Sequence, residues 1–148
     1  MTHKLIALSL ICASLGFSSL PAAAQVTGPR GGTATGNRIV RPNPAGGTTS
    51  VGGSTVTGPN GGTSTGGYGV RTDGQGNLIY GRGRTTTGPN GQTRSVETTG
   101  SGSYDPETGY SGQGTRTING QTFNTTTQDG ATTVTDPAGN SKTFFRRR

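Results

Sequence analysis

An eleven-residue block returns after 30 residues almost unchanged. Val26-Thr27-Gly28-Pro29-Arg30-Gly31-Gly32-Thr33-Ala34-Thr35-Gly36 and Val56-Thr57-Gly58-Pro59-Asn60-Gly61-Gly62-Thr63-Ser64-Thr65-Gly66 differ only at their fifth and ninth positions. A third copy, Thr86-Thr87-Gly88-Pro89-Asn90-Gly91-Gln92-Thr93, follows after a further 30 residues, and Asp136-Pro137-Ala138-Gly139 repeats the x-Pro-x-Gly core out of register. Proline presets φ for the second position of a type I turn. Asn suits the third position, and Gly takes the left-handed conformation that closes a hairpin through a bulge. Each copy therefore reads as a hairpin tip, and its Thr- and Val-rich flanks favour extended backbone because β-branched side chains pack well on a pleated surface.

Further turn signals stand at Asp73-Gly74, Asp105-Pro106-Glu107-Thr108-Gly109, Asn119-Gly120 and Asp129-Gly130. Between them the sequence predicts consecutive strands over Leu78 to Thr87, Gln92 to Thr99, Tyr110 to Ile118, Gln121 to Gln128, Ala131 to Thr135 and Ser141 to Phe145. No window after the first residues carries helical spacing of apolar side chains. The expected fold class is mostly β, an antiparallel meander of short hairpins.

The start of the chain has a different character. Met1-Thr2-His3-Lys4 is positively charged, Leu5 to Leu20 is an apolar run, and Pro21-Ala22-Ala23-Ala24 offers small residues for a signal peptidase. The run is shorter than the roughly 20 residues a spanning helix needs. Residues 1–24 are thus expected to be a signal peptide cleaved after Ala24, leaving no transmembrane segment and a periplasmic or extracellular protein. Cys12 lies mid-run behind Ile11, not behind the small residue that precedes a lipid-modified cysteine.

Cleavage would remove the chain's only His, Cys and Met, and there is no Trp. A chain from Gln25 onward then has no disulfide framework, no ordinary zinc, copper or haem site, and no Ser-His or Cys-His nucleophile pair. No catalytic residue, metal or cofactor is expected. Asp73-Gly74-Gln75-Gly76-Asn77 has the look of a calcium loop but lacks a bidentate Glu, so it reads as a plain turn.

Composition divides the remainder near residue 70. Residues 25–70 hold 14 Gly and 4 Pro with no acid and almost no large apolar side chain. They are expected to form a disordered, flexible arm with at most transient hairpins at Pro29 and Pro59, because such a stretch buries too little surface to offset the entropy of ordering it. Residues 71–148 hold the large apolar side chains and are expected to form the hairpin meander with a basic C-terminal tail. A single-layer sheet of this kind is expected to self-associate through its edges.

Twelve cationic side chains against six acids remain after cleavage, nearly all of them Arg. The candidate polyanion contacts are Arg82 and Arg84, in Tyr80-Gly81-Arg82-Gly83-Arg84, and Arg146, Arg147 and Arg148 after Phe144-Phe145. The first group is of the Arg-Gly type that meets single-stranded nucleic acid by charge and stacking, although an exported chain gives no reason to expect a specific nucleic acid. The second pairs aromatic anchors with charge, as at a membrane surface. Polyanionic envelope or matrix components are the expected partners.

The units Thr57 to Thr63, Thr87 to Thr93 and Ser103 to Gly109 resemble the Thr-Gly-Pro-Asn-Gly-x-Thr and Ser-Tyr-Asp-Pro-x-Thr-Gly segments of secreted bacterial Thr/Gly-rich proteins, over residues 56 to 145. The resemblance implies an envelope or extracellular context and carries over no activity. Together these features lead us to expect a non-enzymatic exported protein with a structural or adhesive role, the alternative being a dedicated polyanion-binding module. N-terminal sequencing of the chain recovered outside the cytoplasm should begin at Gln25; a start at Met1 would remove the leader.

Overall fold

A computed structural model describes residues 24–145. The expected leader, apart from Ala24, and the candidate contacts Arg146, Arg147 and Arg148 lie outside the described residues. Ten strands run in chain order: β1 Ala24–Thr27, β2 Thr33–Pro42, β3 Thr48–Thr57, β4 Thr63–Thr72, β5 Asn77–Thr87, β6 Thr93–Asp105, β7 Gly109–Ile118, β8 Gln121–Gln128, β9 Ala131–Thr135 and β10 Ser141–Phe145. They form one antiparallel sheet in the order β1 to β10, each strand paired with its neighbours in sequence. No helix among the described residues is long and apolar enough to cross a membrane.

The hairpin tips close as proline and glycine dictate. In the first repeat the Gly31 N–H donates to the Gly28 carbonyl at 3.0 Å and the Gly28 N–H to the Gly32 carbonyl at 2.8 Å, with Gly31 at φ 82°. Gly58-Pro59-Asn60-Gly61 and Gly88-Pro89-Asn90-Gly91 repeat both bonds, with Gly61 at 81° and Gly91 at 77°. Asp136-Pro137-Ala138-Gly139 makes the same pair of bonds. So does Asn43-Pro44-Ala45-Gly46 between β2 and β3, a further copy of the core that the sequence reading passed over. Two-residue tips at Asn119-Gly120 and Asp129-Gly130 place both residues at positive φ, 49° and 86°, then 52° and 75°. This is the primed turn whose twist matches that of the flanking strands.

The Gly-rich stretch 25–70, for which composition led us to expect a flexible arm, contributes β1 to β4 to this sheet. Core burial is the wrong test for it. Its strands are held by backbone ladders, Thr33 to Pro42 against Thr48 to Thr57 and Thr49 to Thr57 against Thr63 to Arg71. Tips at Pro29, Pro44 and Pro59 hold these partners in register. The six strands expected after residue 77 coincide with β5 to β10 to within a residue, except that β6 runs on to Asp105 through Gly100-Ser101-Gly102. Those glycines are roofed by tyrosines. A Cβ at Gly100 would lie 2.6 Å from the Tyr80 ring, and one at Gly102 would collide with Tyr110.

No described side chain is buried as a core. The sheet is a single layer with two solvent faces, and directly paired residues share a face, so the register sorts every strand residue to one side or the other. One face carries a threonine rank: Thr27, Thr33, Thr57, Thr63, Thr87 and Thr93 stand opposite one another across β1 to β6. Hydroxyls pair across strands on this face, Thr99 with Thr115 at 2.8 Å and Thr117 with Thr122 at 2.9 Å.

The turn glycines give a direct check. Gly61 has open space where a Cβ would stand, so only its left-handed backbone resists substitution. Gly61→Ala and Gly91→Ala should each cost about 1 kcal/mol by thermal or denaturant unfolding. Gly67→Ala, whose Cβ would meet the Gly52 carbonyl at an ordinary 3.4 Å, should cost less.

Candidate functional site

Charge and aromatic rings are divided unequally between the two faces. Arg38 is paired with Gly52, Gly52 with Tyr68, Tyr68 with Arg82, Arg82 with Thr98, Thr98 with Arg116, and Arg116 with Phe123. These seven residues form one lateral row on the face opposite the threonine rank. The alternation of side chains along a strand adds Arg84, two residues from Arg82, and Arg94, which is paired with Thr86 on the same face. Lys142, paired with Val134, lies there too, its ammonium 5.4 Å from the Phe144 ring centre.

Tyr80, Tyr104 and Tyr110 share this face by the same parity. On the other side, Glu97 is paired with Thr117 and Asp105 with Gly109, and Arg41 and Arg71, each paired with Thr49, lie there too, while Asp73, Glu107, Asp129 and Asp136 lie in turns. No acid therefore stands among the strand positions of the arginine face. Of the sequence candidates, Arg82 and Arg84 lie on it. Arg38, Arg94, Arg116, Tyr68 and Phe123, which the sequence reading did not single out, lie there as well. The parity of Tyr80-x-Arg82-x-Arg84 was the available signal, and it needed the register of the neighbouring strands to become a surface.

The face is contoured. A shallow concavity of about 920 Å³ is lined by Arg38, Tyr68, Arg82, Arg84, Val96 and Arg116, with strand glycines between them. Tyr68 forms part of its wall: a Cβ at Gly52 would lie 2.6 Å from the Tyr68 ring, so the ring reaches across a bare backbone and leaves its outer side in solvent, with Tyr68 38% exposed. Arg84 is oriented by its Nε–H, which donates to Ser64 Oγ at 2.7 Å. Between Arg82 and Arg116 the Thr98 hydroxyl is covered and has no hydrogen-bond partner among the described residues.

Nearby, Tyr80 and Tyr110 lie over a glycine bed. Cβ atoms at Gly112 and Gly114 would stand 2.5 and 3.1 Å from the Tyr110 and Tyr80 hydroxyls, respectively. Burial, and then the neighbouring Tyr80, hold the Tyr110 hydroxyl above its ordinary pKa.

The acidic turns are closed on themselves. Asp73 Oδ1 accepts the N–H groups of Gln75 at 2.8 Å and Asn77 at 3.1 Å, and the Asn77 side-chain amide donates to Asp73 Oδ2. The Asn77 amide thus turns its donor to the carboxylate, which is the arrangement of a turn. Asp136 and Asn140 repeat the pattern. Among the described residues no cluster of His, Cys, Asp and Glu is placed to hold a metal.

No family model matches the chain, and searches of curated proteins and of solved structures found no significant match.

These turn carboxylates set a pH dependence. The Asn77 amide holds Asp73 below the usual carboxylate range, the Thr108 and Glu107 N–H groups do so for Asp105, and the Asn140 amide for Asp136. Their contribution is present above the ordinary carboxylate pKa of about 4 and is lost as pH falls through the lower folded values. The thermal midpoint should decline below about pH 4. A D73N/D105N/D136N variant, which keeps an acceptor oxygen in each turn, should show a flatter decline. The raised Tyr110 acts at the other end, its contribution present below about pH 10 and lost as pH rises further.

Proposed function

We propose that this chain is a non-enzymatic exported protein with a structural or adhesive role at the cell envelope, surface or matrix, exercised through its arginine face. The observation that carries the reading is the sorting of charge: Arg38, Arg82, Arg84, Arg94, Arg116 and Lys142 on one face of a single layer, with no acid among them. Scattered cations that merely keep a chain soluble need no such segregation. A face of one sign raises the local concentration of oppositely charged polymers.

The same observation favours a second reading, a module dedicated to binding polyanions, in which the contact is the function and not a means of adhesion. The two differ in where the protein resides. Adhesion holds the chain in the envelope or matrix fraction, and copies joining through the β1 and β10 edges, each paired on one side only, would extend the basic surface. The leader-like sequence of residues 1–24 supports both.

Fractionation of the producing cells decides the first point, followed by washing of the envelope or matrix fraction with increasing salt. The chain should be retained at low salt and released as salt rises, since binding by charge neutralisation weakens as counterions compete. R82A/R84A should elute at lower salt. Retention in the cytoplasm, or release that ignores salt, would overturn the reading.

A further inference from the structure

We infer that the lateral row Arg38, Tyr68, Arg82, Arg116 and Phe123 is a track for a linear acidic polysaccharide whose carboxylates are separated by uncharged sugars. The inference rests on the polyanion-contact reading above and names its ligand class. The row crosses the sheet from β2 to β8, perpendicular to the strands, on residues paired from one strand to the next. Strands stand about 4.8 Å apart. Arg38 and Arg82 are three strands apart, roughly 14 Å, and Arg82 and Arg116 two strands apart, roughly 10 Å. The ring-bearing positions fall elsewhere in the row, Tyr68 on β4 and Phe123 on β8.

That rhythm separates the candidate polymers. A nucleic-acid strand bears a charge on every nucleotide, about 3.4 Å apart along a stacked helix, far denser than the guanidinium groups of this row. A sugar chain charged on alternate units places anions at a coarser interval and leaves neutral rings between them. Guanidinium groups bind carboxylates through two parallel hydrogen bonds. The outward side of the Tyr68 ring, bedded on Gly52, presents a negative π face to the C–H face of a sugar.

A lipid surface fits less well. Tyr68, Tyr80 and Tyr110 reach across glycines of neighbouring strands, an arrangement that spreads rings along the sheet, whereas membrane anchoring buries an apolar face below the headgroups. The concavity of about 920 Å³ contains three of the row's arginines and Tyr68, and Arg84 with its Ser64 hydrogen bond flanks it.

The test is isothermal titration calorimetry on the full chain at about 0.1 M salt, where charges more than about 10 Å apart are screened. The probes are hyaluronate, oligothymidylate, phosphatidylglycerol vesicles and neutral dextran. Hyaluronate should bind most tightly and dextran not at all. R82Q/R116Q should weaken hyaluronate binding about tenfold, in keeping with two modest exposed ion pairs. Y68S should weaken it severalfold, and Y68L, which keeps bulk but loses the π face, should weaken it too. R41Q/R71Q removes equal charge from the threonine face and should leave binding unchanged; circular dichroism checks that each variant keeps its sheet. Equal weakening by R41Q/R71Q would show that net charge alone is sensed and overturn the track. Tighter binding of oligothymidylate or vesicles would overturn the polysaccharide and leave the basic face standing. Failure to bind any anionic probe would overturn both this inference and the reading beneath it.

Discussion

Strand register governs everything else in this molecule. Side chains alternate along a strand with a period of two, so sliding one strand by a single residue moves its whole set to the other side. With no core to reject the wrong register, the tips must fix it. The x-Pro-x-Gly turns do so by a pair of backbone hydrogen bonds and one left-handed glycine each. A slip of one residue in β5 would carry Arg82 and Arg84 onto the threonine side and Gly83 into the row between Tyr68 and Thr98.

Cohesion in such a layer comes from repetition of small terms. Ladder hydrogen bonds satisfy the backbone, threonine hydroxyls meet across strands, and tyrosines cover the glycines that would otherwise leave bare backbone. Tyr80 over Gly100 and Gly114, and Tyr110 over Gly102 and Gly112, show why glycine is useful within these strands. It costs conformational entropy and packing, and in return it lets a ring lie along the sheet. The same lowering of the surface makes the trough between Arg38 and Arg116. Cohesion and the contour of the basic face thus draw on the same residues, because a single layer has no interior in which to separate them.

The sequence declared its turns clearly and its faces poorly. Strand limits for β8, β9 and β10 follow from Asn119-Gly120, Asp129-Gly130 and Pro137-Gly139, whose chemistry is local. The ordering of residues 25–70 could not be read from composition, since it depends on partners on both sides of each strand. The same reason hid the extension of β6, whose glycines are supported by rings from β5 and β7. Arg82 and Arg84 were visible as a local cluster. Arg38 and Arg116 join them only through three and two strand crossings, so no window along the chain could have shown the row.

The repeat has a consequence for how such a sheet can change size. One period of 30 residues contains two strands and two tips, an even count, so gaining or losing a whole period alters the width by two strands, about 10 Å, without turning any downstream strand over. Sidedness is therefore insulated from copy number. The reach of the basic row becomes a quantity that whole-period duplication can lengthen or shorten, while a change of half a period would reverse the direction of every strand that follows.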